Sequence, residues 1–196
     1  MKYMHIQSAT FIKGVIGTEG LPHPLRPTIA FFGRSNVGKS SVVNRLTRTS
    51  IARANKKPGR TTEINYYLIN ENFYLADLPG YGYAKLPPKL RDKISGYLSW
   101  FAEDSTLNIK LCVLIVDAAV GPKEHDITMF HLLKEYERPL VILANKIDKE
   151  NQSTLQKNLS LCKTVFPETL IIPFSAKTGR GIDTLLETVS SSLEKR

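Results

Sequence analysis

The chain has 196 residues, 42% hydrophobic and 23% charged, a composition that suits one folded domain and excludes disordered, collagen-like and coiled-coil classes. The longest strongly apolar run, Leu111–Val116, has six residues, whereas a membrane helix needs about eighteen. We therefore expect neither a membrane span nor a membrane partner. Because the chain has two cysteines, Cys112 and Cys162, and no apolar leader at its start, we expect a cytoplasmic protein without disulfide-linked partners.

The net charge of +9 is concentrated in the N-terminal half of the chain. Residues 1–98 hold 15 basic and 5 acidic residues, whereas residues 99–196 hold 12 basic and 13 acidic residues. A positive excess on one half of a chain favours a polyanionic partner.

The first 25 residues contain several glycines and prolines. We expect residues 1–25 to form an N-terminal arm or an extra strand. Residues 26–196 are predicted to form a single domain.

Four apolar runs in that domain show little alternation of apolar and polar residues, which is typical of strands covered on both faces of a sheet. They are Thr28–Phe32, Leu111–Val116, Leu140–Ala144 and Leu170–Phe174. Between them apolar residues recur at helical spacing, as at Ile182, Leu185, Leu186 and Val189. Strands that alternate with helices predict an α/β fold with a doubly wound, mostly parallel sheet and helices on both faces.

One region departs from this alternation. Glu63–Ile69 and Phe73–Ala76 are separated by the short polar turn at residues 70–72. This spacing predicts a hairpin, and therefore one antiparallel strand at the sheet edge. Residues 48–62 have neither periodicity nor many apolar residues and are predicted to be a long functional loop.

Residues 33–40, Gly-Arg-Ser-Asn-Val-Gly-Lys-Ser, fit the pattern G-x-x-x-x-G-K-[ST] between a predicted strand and a predicted helix. Such a turn directs backbone N–H groups and a helix N-terminus at one point, which suits a polyphosphate. Gly33 and Gly38 allow close approach of the backbone. Lys39 can reach the β- and γ-phosphates, and the Ser40 hydroxyl can bind Mg²⁺. The motif predicts a phosphate-binding loop.

A second motif, Asn-Lys-Ile-Asp at residues 145–148, follows a predicted strand and indicates which base is bound. Its Asp148 can accept hydrogen bonds from guanine N1–H and the 2-amino group. Adenine lacks both donors, so a buried Asp148 would be left unpaired with ATP. Asn145 would brace the loop, and the stem of Lys146 would lie over the base. In Ser-Ala-Lys at residues 175–177, the Ala176 N–H can meet guanine O6.

A third motif, Asp-Leu-Pro-Gly at residues 77–80, follows the predicted strand Phe73–Ala76. Asp77 can hold a Mg²⁺-bound water, and the Gly80 N–H can bond the γ-phosphate only when that phosphate is present. The segment after Gly80 is therefore predicted to be a switch. Upstream, either Thr61 or Thr62 offers a hydroxyl that can complete the Mg²⁺ shell.

Together these motifs, with Pro-Gly-Arg-Thr at residues 58–61 and Tyr-Gly-Tyr-Ala at residues 81–84, resemble those of the bacterial EngB/YsxC GTPases of the translation-factor-related class. The resemblance covers about residues 26–185. It implies a P-loop GTPase fold with a six-stranded sheet, Mg²⁺-dependent GTP hydrolysis, a role in assembly of the large ribosomal subunit and a requirement in normal cell division and septation. It also selects Thr61, which follows Pro-Gly-Arg, as the magnesium threonine. Family members often have T-K-x-D where this chain has Asn-Lys-Ile-Asp at residues 145–148. This departure from the family restores the commoner GTPase form.

The predicted site combines these motifs with their neighbours. The predicted nucleotide-binding residues are Gly33, Arg34, Ser35, Asn36, Val37, Gly38, Lys39, Ser40, Ser41, Gly59, Arg60, Thr61, Thr62, Glu63, Asp77, Leu78, Pro79, Gly80, Asn145, Lys146, Ile147, Asp148, Ser175, Ala176 and Lys177. Catalytic roles are predicted for Lys39, Asn36, Thr61 and Gly80. The predicted Mg²⁺ ligands are Ser40 and Thr61, with Asp77 acting through a water.

Many GTPases have a glutamine after D-x-x-G that orients the attacking water. Here that residue is Tyr81, so we expect an enzyme that is slow alone and is stimulated by K⁺ or by the ribosome. In related GTPases an asparagine at the position of Asn36 helps to hold K⁺, and we expect the same of Asn36. The other interpretation is that Asn36 only stabilises the turn.

Basic residues cluster on both sides of the predicted switch. They are Arg45, Arg48, Arg53, Lys56, Lys57 and Arg60 in the first group, and Lys85, Lys89, Arg91 and Lys93 in the second. We expect contact with ribosomal RNA or a large-subunit precursor; the alternative is an ordinary solvated surface.

Three functions remain open from the sequence. The first is a GTP-hydrolysing switch that binds a ribosome precursor. The second is an rRNA-binding assembly factor that nucleotide stabilises, with little hydrolysis. The third is a P-loop kinase or ATPase that uses ATP.

Overall fold

The continuous apolar runs of the sequence form a single seven-stranded sheet in the computed structural model, which describes residues 4–16, 20–52, 63–82 and 87–195. The strands are β1 Ala9–Val15, β2 Thr28–Gly33, β3 Ile64–Ile69, β4 Phe73–Asp77, β5 Ile109–Asp117, β6 Leu140–Asn145 and β7 Leu170–Pro173. The helices are α1 Lys39–Thr47, α2 Pro88–Glu103, α3 Glu124–Glu135, α4 Gln152–Val165 and α5 Ile182–Glu194. The α/β fold and the predicted alternation of strands and helices are confirmed.

The strand order is β1-β3-β4-β2-β5-β6-β7. The five strands from β4 to β7 in this order run parallel, whereas β3 is antiparallel to both of its neighbours. The sheet thus has seven strands rather than the predicted six, because β1 pairs with β3 from Ala9↔Ile69 to Val15↔Ile64. This pairing uses the outer N–H and C=O groups of the hairpin, and it places β1 at the edge with β3 next to it.

Helices cover both faces of the sheet, as predicted. On one face α1 and α5 pack on the strands through residues such as Val43, Leu46 and Leu185. On the other face α2, α3 and α4 do so through residues such as Phe101 and Phe130. Both faces of β5 are therefore covered, which explains its unbroken run of apolar residues. In the described ranges, none of the helices has the length and apolar character needed to span a membrane.

The parallel direction of five strands decides where function is concentrated. Their carboxyl ends meet at one edge of the sheet, which is where open α/β sheets bind ligands. The loops that follow β2, β4, β5, β6 and β7 all begin at this edge.

Candidate nucleotide-binding site

The turn between β2 and α1 forms the centre of the site. Gly38 has a φ of 101°, and a Cβ atom added to it would lie 2.6 Å from Asn145 Nδ2. A side chain at this position would thus have a strained backbone conformation and would clash with the side-chain amide of Asn145, the last residue of β6. The geometry explains why the motif requires glycine here and brings the P-loop into contact with the loop after β6.

Lys39 begins α1 and is only 9% exposed. Its Nζ donates to the carbonyl oxygens of Gly33, at 3.0 Å, and Arg34, at 3.4 Å. Burial lowers the pKa of Lys39, and the nearby Asp77 carboxylate opposes that shift. A buried ammonium group with this environment gains most from an anionic ligand, such as a phosphate.

Asp77 ends β4 next to the P-loop and is 3% exposed. Its Oδ2 accepts from Ser40 Oγ at 3.0 Å, whereas its Oδ1 is buried without a hydrogen-bond partner. Burial raises the pKa of Asp77, and Lys39 and Ser40 act in the opposite direction. A hydroxyl beside a buried carboxylate oxygen that lacks a partner is a donor set that fits Mg²⁺, a hard cation that prefers oxygen ligands.

The segment that follows Asp77 lies against the P-loop. Ser35 N donates to Tyr81 O at 2.9 Å, and Ser35 Oγ donates to Gly80 O at 3.3 Å. A Cβ atom added to Gly80 would lie 3.0 Å from Lys39 Nζ. Leu78 and Pro79 are buried behind this contact. Gly80 therefore lies close to Lys39 Nζ, the group that the sequence predicts to reach the γ-phosphate.

The loop after β6 is tied to both the P-loop and the loop after β7. Asn145 Nδ2 donates to Val37 O at 2.8 Å, and Asn145 Oδ1 accepts from Ala176 N at 3.1 Å. Lys146 Nζ donates to Asn36 O at 2.6 Å and to Asp117 Oδ2 at 2.5 Å. The asparagine thus braces three loops, as expected from its position.

Asp148 is held by the loop after β7, since its Oδ1 accepts from Ser175 Oγ at 2.5 Å. This hydrogen bond is the main reason that the pKa of Asp148 is lowered, so the carboxylate is ionised at neutral pH. The Asp148 side chain is exposed, because it lies in a loop beyond the end of β6. The Ala176 N–H, expected to meet guanine O6, donates to Asn145 Oδ1.

The remaining predicted residues occupy peripheral positions. Asn36 and Ser41 are exposed, and Ile147 in the loop after β6 is buried, with its N–H donating to Phe174 O at 3.2 Å. Asn36 has a φ of 67°, a conformation that asparagine tolerates well, which agrees with the interpretation that it stabilises the turn. Glu63 is exposed just before β3. The predictions for Gly59, Arg60, Thr61 and Thr62 lie outside the described residues.

Three residues that sequence reasoning missed support these loops. Asp117 pairs with Lys146, and the sequence could have indicated it, because it follows the apolar run that forms β5. No sequence feature indicated the supporting roles of Arg45 and Asp126. Arg45 Nε donates to Ala176 O at 2.7 Å, its Nη2 also donates to Lys177 O, and Asp126 contacts the P-loop from α3. Their partners are distant in sequence, so only the fold brings them together.

Comparisons with known proteins agree with this geometry. A family model described as "50S ribosome-binding GTPase" matches residues 28–146, and one described as "Elongation factor Tu GTP binding domain" matches residues 102–195. The chain is 38% identical to a probable GTP-binding protein EngB of Oceanobacillus iheyensis, over 98% of this chain and 100% of the relative. It is also 38% identical to one of Thermotoga maritima, again over 98% and 100%.

Solved structures show the same fold. A crystal structure of a probable GTP-binding protein engB is 29% identical and superposes with a TM-score of 0.71, covering 86% of this chain and 99% of the other. The crystal structure of an Aquifex aeolicus Era variant bound to GDP.AlF4- is 25% identical with a TM-score of 0.71, covering 86% of this chain and 57% of the other.

Proposed function

Because this chain belongs to the EngB family of GTP-binding proteins, we propose that it is a GTP-hydrolysing switch that binds a precursor of the large ribosomal subunit in its GTP state and leaves after hydrolysis. GTP binding and a GTPase domain come with the family. The ribosomal partner, the Mg²⁺ dependence and the residue roles are parts of the proposal.

One observation carries the switch. The segment Gly80–Tyr81 is hydrogen-bonded to Ser35 in the P-loop, and Gly80 lies beside Lys39. A backbone N–H at this position can donate a hydrogen bond to the γ-phosphate when that phosphate is present. The segment after it can change conformation when the γ-phosphate is lost.

The residues at the P-loop edge of the sheet have two proposed roles, phosphate binding and Mg²⁺ binding. Lys39 and the backbone N–H groups at the start of α1 would bind the phosphates and stabilise the charge that develops during transfer. Ser40 and Thr61, with Asp77 through a water, would hold Mg²⁺. When bound, this ion neutralises charge on the β- and γ-phosphate oxygens.

The base loops supply specificity. Asp148, ionised and oriented by Ser175 Oγ, would accept from guanine N1–H and the 2-amino group, and Lys146 would lie along the base. Competition of ATP against labelled GTP tests the ATP-using alternative, which requires comparable affinities for the two nucleotides.

Slow hydrolysis is expected without a stimulating partner, because Tyr81 stands where many GTPases have glutamine. We propose that K⁺, held with the help of Asn36 on the exposed rim of the P-loop, or the ribosome itself accelerates turnover. Replacing K⁺ with Na⁺ at constant ionic strength should slow hydrolysis; an unchanged rate would exclude the role of K⁺.

Support for the ribosomal partner comes from the family model described as "50S ribosome-binding GTPase" and from exposed basic side chains at the start of α2. The test is association with ribosomal particles in the presence of a GTP analogue, GDP or no nucleotide. The switch predicts binding that is strongest with the analogue. Equal binding in all three conditions would favour an rRNA-binding factor that nucleotide only stabilises.

The cytoplasmic location and the requirement in cell division and septation rest on the sequence and the family resemblance. We expect depletion of the protein to reduce mature large subunits before septum formation fails. The reverse order would separate the division phenotype from ribosome assembly.

A further inference from the structure

A buried carboxylate joins the two segments that are proposed to bind the phosphates. Asp126 lies in the first turn of α3 and is 0% exposed. Its Oδ2 accepts from Arg34 Nε at 2.9 Å and from Lys123 N at 3.0 Å, and its Oδ1 accepts from Tyr81 Oη at 3.2 Å. Three donors compensate the charge of this carboxylate, and the N-terminus of α3 stabilises it further.

The two side-chain partners come from different parts of the nucleotide site. Arg34 is the second residue of the P-loop, and Tyr81 directly follows Gly80. Their backbones also form a parallel bridge, in which Ser35 N donates to Tyr81 O. Asp126 thus attaches both segments to the same point on α3. It thereby also fixes the position of Gly80 relative to Lys39.

The protonation of Tyr81 suits this role. Burial, together with Asp126, raises the pKa of the Tyr81 hydroxyl well above its ordinary value. The hydroxyl therefore remains a hydrogen-bond donor throughout the neutral pH range. It donates its hydrogen bond to Asp126 Oδ1.

We propose that Asp126 is a positioning residue that, through Arg34 and Tyr81, holds Gly80 against the P-loop and so prepares its N–H group for the γ-phosphate. This inference rests on the proposed switch, because it requires the Gly80 N–H to donate to the γ-phosphate. GDP has no γ-phosphate, so the part of the arrangement that runs through Tyr81 to Gly80 contributes to the binding of GTP and not to that of GDP.

Tyr81→Phe is the most direct test, since it removes one hydroxyl and leaves the pair between Arg34 and Asp126 in place. We expect the affinity for a non-hydrolysable GTP analogue to fall about tenfold, with GDP affinity nearly unchanged. Tyr97→Phe is the matched control, because Lys93 Nζ lies over its ring and its hydroxyl is not among the donors to Asp126. Calorimetric titrations of the full-length protein with both nucleotides measure the ratio.

A double-mutant cycle tests whether Tyr81 acts through Asp126. Asp126→Asn keeps the shape of the side chain and removes its charge, and Asp92→Asn is its control on the exposed surface of α2. If the two groups act together, the loss from Tyr81→Phe in the Asp126→Asn background should be much smaller than tenfold. Should Asp126→Asn fail to fold, the ratio measured for Tyr81→Phe still decides the inference.

Four results would overturn the inference. An unchanged ratio with a lower melting temperature would make Tyr81 a packing residue, and an unchanged ratio with a lower kcat would place its hydroxyl in the chemistry. A raised preference for the GTP analogue would mean that the contact restrains the site. Additive effects in the cycle would separate Tyr81 from Asp126. If the wild-type protein does not bind guanine nucleotides selectively, the proposed function fails instead.

Discussion

At the scale of single residues, the proposed base recognition depends on one ionised side chain, that of Asp148. Asp148→Asn replaces an acceptor with an amide that can donate to the 2-oxo group of xanthine. We expect GDP affinity to fall by about two orders of magnitude and xanthosine diphosphate to become the preferred ligand. Competition titrations with both nucleotides measure this change.

Glu150→Gln is the control for that substitution, because Glu150 is an exposed carboxylate two residues further along the same loop. It should leave both affinities unchanged. A preference for GDP that survives Asp148→Asn would contradict the proposed base pocket.

Arg45, which lies in α1, supports the loop after β7. Its guanidinium donates to Ala176 O and Lys177 O, which a lysine cannot do with the same two-donor geometry. We expect Arg45→Lys to weaken GDP binding about tenfold, with a smaller effect on ADP, whose base is not recognised there.

Arg48→Lys is the matched control, since Arg48 is exposed at the end of the same helix. Equal losses for GDP and ADP would mean that Arg45 only stabilises the fold. The contacts of Arg45 also limit its availability for RNA, although the sequence placed it among the basic residues of that surface.

At the scale of elements, β1 depends on the turn of the hairpin it joins. Asn70 adopts a φ of 49° in that turn, and its Oδ1 accepts from Gln7 N at 2.8 Å and Ser8 N at 3.1 Å, whereas its Nδ2 donates to His5 O at 2.8 Å. One side chain therefore guides the N-terminal segment onto the outer side of β3.

Asn70→Ala removes these hydrogen bonds and puts a residue with a Cβ and no polar group in a left-handed conformation. We expect the free energy of unfolding to fall by about 1–2 kcal/mol, with faster amide exchange in β1 than in β4. Urea unfolding and hydrogen exchange measure both. Asn72→Ala, an exposed change in the same turn, is the control; equal exchange in β1 for the two variants would refute the role of Asn70.

At the scale of the whole molecule, the positive charge of the N-terminal half should govern affinity for RNA. The exposed residues Lys89, Arg91 and Lys93 lie in the first two turns of α2, which follows the proposed switch in the chain. If they contact phosphates, replacing all three with glutamine should reduce the salt slope of RNA binding by about two, since each contact contributes about 0.7.

The control replaces three exposed lysines from the C-terminal half of the chain, Lys134, Lys157 and Lys163, and so makes the same change in net charge. It should leave the slope nearly unchanged. Equal effects of both triple variants would indicate attraction by net charge alone, without a defined RNA surface.

The sequence by itself determined the α/β class, the core strands and the motifs at Gly33–Ser40, Asp77–Gly80 and Asn145–Asp148. These signals are local, because apolar periodicity and the chemistry of short loops are both read within a few residues. The tertiary structure decided the seventh strand, the exposure of Asp148 and the supporting roles of Arg45 and Asp126. Each depends on groups that are distant in the chain, and their contacts form only when the sheet brings separate loops to one edge.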